Sequence, residues 1–382
     1  LAEEKIDLSA PLVKDAGALA AFLDDCGGVL ALDTEFVWER TYYPRLGVVQ
    51  LNTAYEHPFL IDAVALDDWT PLRRVIEDSA CVKVLHDAQQ DLTILHQVCG
   101  AVPRTIFDTR LAAGFTGRDS TIGLSGLLSQ LFGVELSKEA TRSDWLRRPL
   151  SDKQLSYAIN DVRYLPEAWR CLRRECRERG NDAYCREEMG RYDGPALYGE
   201  RPLREMGDRV KGAKRLGGTQ RRIVQAVAAW RERTARQRNR PRGHVISDRA
   251  VMAIGAAGPE TEADLKAVSA LSDAARRRYG EALLRAVAAG AGAADDSVSD
   301  GRTKNVHFDR LKGEADAILK SIRTVCGQRS IDAALVCSRQ RVNRFLAAEE
   351  DSLLFSGWRA DMMGPEFARQ CAAARRRLTE DD

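Results

Sequence analysis

Histidine is scarce in this chain, with five in 382 residues, and the nine cysteines never fall in a C-x-x-C pair. Together these exclude a zinc site of the usual ligand spacing. Unpaired, scattered and odd in number, the cysteines read as free thiols of a reducing compartment, which places the protein in the cytoplasm. No apolar run approaches the ~18 residues that a membrane helix needs, so no membrane partner is expected. The opening Leu1-Ala2-Glu3-Glu4-Lys5 lacks the basic-then-apolar layout of a signal peptide, and without a Met it is expected to miss the first natural residues. Net charge is only +2, so bulk electrostatics does not announce a polyanionic partner.

The composition, 44% hydrophobic and 30% charged, is that of a folded globular protein with room for two or three domains. Local charge is less even. Between Arg201 and Arg242 basic side chains greatly outnumber acidic ones, among them Lys211, Lys214, Arg215, Arg221, Arg222, Arg231, Arg233, Arg236, Arg238 and Arg240. Such a stretch either neutralises phosphates or is a solvated helix face.

The first half reads as mixed α/β. Strands are expected at residues 28–36, 47–51 and 59–61, joined by short connections as in an antiparallel meander. Then a helix at 71–78, a strand at 82–85 and a helix at 88–98 alternate as in βαβ units. Further helices are expected at 123–131 and 151–179; the latter opens on Ser151-Asp152-Lys153-Gln154, a capping-box pattern. Past Tyr192 the strand signals stop. Residues 193–217 read as a linker, 218–289 as a helical domain, 290–306 as a flexible Ala/Gly/Ser/Asp-rich linker, and 307–382 as a second helical domain. The similar lengths of the two helical blocks suggest a duplicated module.

The chemistry lies in the acids. Asp33 and Glu35 sit two apart on the first strand, so both carboxylates face the same side. Among Leu32, Thr34 and Phe36 an unpaired charge is costly to bury, and a hard divalent cation with oxygen ligands, Mg²⁺ or Mn²⁺, removes that cost. After the strand at 82–85 come His86, Asp87 and Asp91; by position either acid can serve, and spacing does not choose between them. Tyr157 and Asp161 are four apart on a helix and share a face. Four acids on three elements can build a two-metal phosphoryl-transfer site, and without metal such a cluster repels itself.

The order of these elements resembles the DEDD exonucleases with tyrosine in the third motif. Leu32-Asp33-Thr34-Glu35-Phe36 looks like their first motif, His86 to Asp91 the second, and Tyr157-x-x-x-Asp161 the third; the resemblance selects Asp91 over Asp87. The segments 40–46, 107–113, 143–150 and 157–165 look like the ribonuclease D family in particular. Residues 238–248 are similar to its first helicase-and-RNase-D C-terminal (HRDC) module, and 338–343 with 353–359 to the second. The resemblance implies a ribonuclease H-like α/β exonuclease domain over residues 1–192 followed by two small all-α helical bundles. It implies a 3′-5′ exoribonuclease that releases 5′-mononucleotides and acts in tRNA 3′ maturation. Its partner is RNA with a free 3′ end, such as a tRNA precursor, with no obligate protein partner. Two divalent ions, Mg²⁺ or Mn²⁺, are implied on Asp33, Glu35, Asp91 and Asp161, with Asp33 bridging and Tyr157 positioning the nucleophilic water. Phe36 and His86 either touch the terminal nucleotides or serve as packing. Asp108, outside the four-acid set, is read as structural. DNA as the substrate and a silent RNA-binding scaffold are the rival readings; all five catalytic positions carry competent residues, against the scaffold. The helical blocks either carry RNA or dock protein.

Overall fold

The computed structural model describes residues 12–55, 57–136, 143–293, 308–347 and 352–379; the amino-terminal Leu1-Ala2-Glu3-Glu4-Lys5 and most of the expected 290–306 linker lie outside them. They fall into two compact units: 1–36 with 46–198 and 306–382, and 37–45 with 199–305.

The first unit is organised by a five-stranded sheet in the order β3-β2-β1-β4-β5. β1 (Val29–Val37), β2 (Arg45–Thr53) and β3 (Phe59–Asp62) follow one another, and β2 and β3 pair antiparallel. The chain then crosses through α2 (Thr70–Glu77) to β4 (Val82–Leu85), which pairs parallel to β1 with Val29 opposite Val82. α3 (Gln89–Cys99) leads to β5 (Ile106–Asp108), parallel to β4 with Leu85 opposite Asp108. A parallel return needs a crossover helix, so the alternation after residue 70 dictates this half of the sheet. α1 (Ala16–Asp24) precedes the sheet, and α4 (Thr109–Phe115) and α5 (Leu124–Phe132) follow it.

One long helix at 151–179 is instead two: α6 (Asp152–Arg163) and α7 (Leu165–Glu178), meeting at Tyr164. Pro166 lies in the first turn of α7, where its missing N–H costs nothing, and its ring disfavours a continuous helix through the preceding residues. The capping box of α6 forms: the Ser151 side chain accepts from the Gln154 N–H while the Gln154 side chain reaches back to Ser151 N–H. α8 (Asp182–Met189) closes this part.

The last helical block, α14 (Phe308–Arg329), α15 (Ala333–Val336), α16 (Arg339–Leu346) and α17 (Gly357–Thr379, broken at Gly364), packs its helices on one another and continues the core of the sheet unit. Its Leu335, Val336, Trp358 and Met362 belong to the same buried cluster as Leu30, Leu85 and Phe115. The block expected as a second helical domain at 307–382 thus falls in the same compact unit as the sheet. The reason is local and close: an added Cβ on Gly114 would lie 2.6 Å from the Leu335 side chain, Asp332 N–H donates to Gly114 O at 2.8 Å, and Glu188 accepts from Trp358 Nε1 and Arg359 Nη1, both at 2.8 Å.

The second unit is a helical bundle of α9 (Gly218–Gln237), α10 (Arg242–Val245), α11 (Asp248–Ala257), α12 (Glu262–Ala267) and α13 (Asp273–Gly292). The expected 193–217 linker is folded: Tyr198 donates its hydroxyl to Tyr192 O at 2.6 Å in the first unit, and Met206, Val210 and Ala213 are buried in the bundle core with Ile223 and Val227. Apolar residues spaced three to four apart within a polar composition account for this. Residues 37–45 join the same unit; Tyr42 donates its hydroxyl to Glu232, and Asn239 Oδ1 accepts from the N–H groups of Tyr42 and Tyr43 at 3.0 and 3.1 Å. α13 runs on to Gly292, so the start of the expected second linker is helical. Among the described residues no helix is long and apolar enough to cross a membrane.

Candidate active site

Alternation along β1 puts Asp33 and Glu35 on one face and Thr34 on the other. Asp161 arrives from α6, whose C-terminal carbonyls are pinned to the sheet by Asn52: its amide donates to Val162 O at 3.1 Å and Arg163 O at 3.0 Å. Carboxylate oxygens of Asp33, Glu35 and Asp161 all lie within 4.8 Å of one another. Tyr157, one turn earlier on α6, hydrogen-bonds to the Asp161 carboxylate. Its ring lies 6.1 Å from that of the buried Trp145, tilted by 44°. Trp145 is held in turn by Arg148, which donates to Trp145 O at 2.8 Å and Gly47 O at 2.8 Å and forks onto Asp62 at 2.5 and 3.0 Å. Gly47 is required here, since a Cβ would come within 2.5 Å of Trp145 O.

Asp91, in the first turn of α3 and 8% exposed, lies alongside this trio rather than within it. Its Oδ1 accepts from the Thr34 hydroxyl at 2.5 Å, and its charge bears on Asp33, Glu35 and Asp161 alike. Asp87, left open by spacing, is largely exposed, adopts φ 63° and pairs with Arg110.

Burial first, and then neighbouring carboxylates, drive the acids upward. Asp33 is held well above the ordinary carboxylate range; Glu35 is pushed to about 8 by burial with Asp161 and Asp91. Asp161 rises to about 7 and Asp91 to about 6, each chiefly by burial, with the Tyr157 and Thr34 hydrogen bonds pulling the other way. Asp91 is buried and Asp33, Glu35 and Asp161 are half-buried; four such carboxylates that resist ionisation, with no nitrogen or sulfur donor among them, fit a hard divalent cation.

The remaining expected residues sit differently. His86 is engaged at both ring nitrogens, Nδ1 with the Thr109 hydroxyl at 2.9 Å and Nε2 with Ile122 O at 3.1 Å. Burial lowers its pKa, and Ile122 O, which can only accept, faces Nε2. Phe36 packs, partly buried, against the main core. Part of the basic stretch is neutralised within its own unit: Arg231 is buried on Asp248, Arg236 pairs with Glu200 and Glu232, and Arg221 with Asp208. Sequence reading missed Asn52, Arg148 and Gly47; only the strand pairing and the approach of the segment before α6 to β2 reveal them.

A 3′-5′ exonuclease family profile matches residues 12–177, and an HRDC domain profile matches residues 220–287. A ribonuclease D of Desulfotalea psychrophila is 38% identical over 317 residues, covering 83% of this chain and 84% of its own length. The ribonuclease D of Escherichia coli K12 is 31% identical over 346 residues, covering 87% and 90%. The crystal structure of Escherichia coli RNase D, described as an exoribonuclease involved in structured RNA processing, superposes with a TM-score of 0.85 at 28% identity, covering 95% of this chain and 98% of that one. An acid cluster on a mixed sheet, the HRDC bundle after it and this degree of likeness along most of the chain lead to one conclusion: the chain belongs to the ribonuclease D family and is a 3′-5′ exoribonuclease.

Proposed function

We propose that this exoribonuclease releases 5′-mononucleotides one at a time from structured RNAs with extended 3′ ends, tRNA precursors in particular, in the cytoplasm. It does so with two divalent ions, Mg²⁺ or Mn²⁺, held by Asp33, Glu35, Asp91 and Asp161. The observation that carries the reading is the approach of Asp33, Glu35 and Asp161 within 4.8 Å, with Tyr157 hydrogen-bonded to Asp161. When bound, such ions supply charge neutralisation at the phosphate and make water a stronger nucleophile. The nine cysteines, all free, support a reducing compartment.

The protein's own groups do the rest. Tyr157, fixed by Asp161 below and Trp145 beside it, holds its hydroxyl where it can orient the attacking water. The water oxygen bonds to phosphorus, the bond to the penultimate 3′-oxygen breaks, and that oxygen takes up a proton. Thr34 keeps the Asp91 carboxylate from turning away.

A time course on a 5′-labelled, 3′-extended tRNA precursor tests polarity, metal dependence and stopping point together. Single-nucleotide shortening that needs Mg²⁺ or Mn²⁺ and stops near the mature end is expected. Shortening that persists in excess chelator removes the metal assignment, and equal digestion of unstructured RNA and precursor removes the tRNA assignment.

A further inference from the structure

At the end of β5 one buried carboxylate collects hydrogen bonds from three separate segments. Asp108 is 1% exposed. Its Oδ1 accepts from Arg110 N–H at 2.9 Å and Leu111 N–H at 3.4 Å, which caps α4, and from Asp87 N–H at 3.1 Å. Its Oδ2 accepts from Ala88 N–H at 3.1 Å and from the Tyr192 hydroxyl at 2.7 Å. Capping α4 would account for two of these bonds and no more.

Two of the other three hold the turn between β4 and α3, and the third comes from the Tyr192 hydroxyl. Ala88, the N-cap of α3, brings no side-chain acceptor, and Asp87 stands in the left-handed region that a non-glycine residue enters only when held. Asp108 does the holding, from the neighbouring strand, on both N–H groups of that turn. Asp91 lies three to four residues further on, in the first turn of the same helix. The direction in which its carboxylate leaves α3 is thus set by where Asp108 fixes Asp87 and Ala88.

We propose that Asp108, completed by the Tyr192 hydroxyl, is a positioning residue for the catalytic site: by anchoring the β4–α3 turn it sets Asp91 against Asp33 and Thr34, and so sets the affinity of the site for divalent metal. The inference rests on the reading of Asp91 as a metal ligand. Groups that orient ligands from behind typically change metal affinity by about 10–100-fold when altered. A helix cap alone changes stability and leaves metal affinity untouched.

The test measures Mn²⁺ binding to the full chain by calorimetry, beginning from metal-free protein, for wild type, Asp108→Asn, Tyr192→Phe and Asp332→Asn. Asparagine keeps one acceptor but presents an amide donor to Ala88 N–H and the Tyr192 hydroxyl. Its Mn²⁺ dissociation constant is expected to rise about tenfold or more, while KM for RNA at saturating metal stays at the wild-type value. Tyr192→Phe, which removes a single hydrogen bond, is expected to shift Mn²⁺ affinity in the same direction by a smaller factor, and it decides the matter if Asp108→Asn does not fold. Asp332→Asn removes a comparable carboxylate cap at α15 and is expected to lower Tm with Mn²⁺ affinity unchanged. Wild-type Mn²⁺ affinity in folded Asp108→Asn and Tyr192→Phe overturns the proposal, as does an equal loss in Asp332→Asn, which would mark general loosening. If wild type itself binds no Mn²⁺, the metal assignment falls and this inference with it.

Discussion

The Thr34 hydroxyl donates to Asp91 Oδ1 at 2.5 Å, tying β1 to the first turn of α3 across 57 residues of sequence. The residue between the two acids of the first motif is therefore a working part of the site. Thr34→Val keeps the β-branched shape and removes the donor. A buried carboxylate oxygen then loses its partner, which costs about 1–3 kcal/mol. Urea denaturation is expected to show that loss, and Mn²⁺ titration a weakened affinity; unchanged values for both would make the contact incidental.

Asp33→Asn and Asp161→Asn are expected to cut turnover by orders of magnitude while RNA affinity holds. Without metal, Asp161→Asn also removes a charge that raises Asp33 and Glu35. Metal-free Asp161→Asn should therefore melt no lower than wild type at pH 8, and both variants should lose most of the rise in Tm that Mn²⁺ confers. A variant with wild-type turnover ends the assignment of that acid.

The raised acids make metal stabilisation depend on pH. A carboxyl whose folded value exceeds its unfolded one binds its proton more tightly in the folded state. It contributes stability below the unfolded value of about 4, and that contribution fades as pH climbs through the folded value. With Asp91 at about 6, Asp161 at about 7 and Glu35 at about 8, the metal-free protein should lose stability between pH 5 and 8. Divalent metal competes with those protons. The gain in Tm on adding Mg²⁺ or Mn²⁺ is thus expected to be larger at pH 8 than at pH 6, by differential scanning fluorimetry in matched ionic strength.

Tyr157→Phe keeps the ring against Trp145 and deletes the hydroxyl on Asp161. Single-turnover kinetics should show the chemical step slowed by on the order of 10²-fold, with Mn²⁺ affinity close to wild type. Wild-type turnover would remove the tyrosine from the mechanism.

Glu188 holds Trp358 Nε1 and Arg359 Nη1 in the interior. Glu188→Ala leaves the Arg359 guanidinium buried with only the carbonyls of Leu335 and Val336. Breaking such a pair from one side costs about 3–5 kcal/mol. Because the last helical block shares the core of the exonuclease body, its helices and the sheet are expected to unfold in one transition; two separate transitions would make the block an independent domain.

Local signals in the chain were enough for whatever depends on neighbours in sequence. Period-two alternation put Asp33 and Glu35 on one face, i and i+4 put Tyr157 beneath Asp161, and Ser151 with Gln154 announced the start of α6. The break at Tyr164 was also legible in Pro166, though the apolar period running through it masked the signal. Strand pairing and packing between distant segments decided the rest. Asp91 and Asp87 are equivalent by spacing; Thr34 buries one, and Arg110 holds the other at the surface. Asp108 reads as a structural acid, but the five donors that converge on it come from residues 87, 88, 110, 111 and 192. Composition marks 193–217 as a linker and 307–382 as a separate bundle, because polar content is local, whereas burial depends on which surface a few apolar side chains meet. The amino-acid order determined which carboxylates could act; the fold decided which of them meet, since a shared site is a matter of distances that no window of sequence contains.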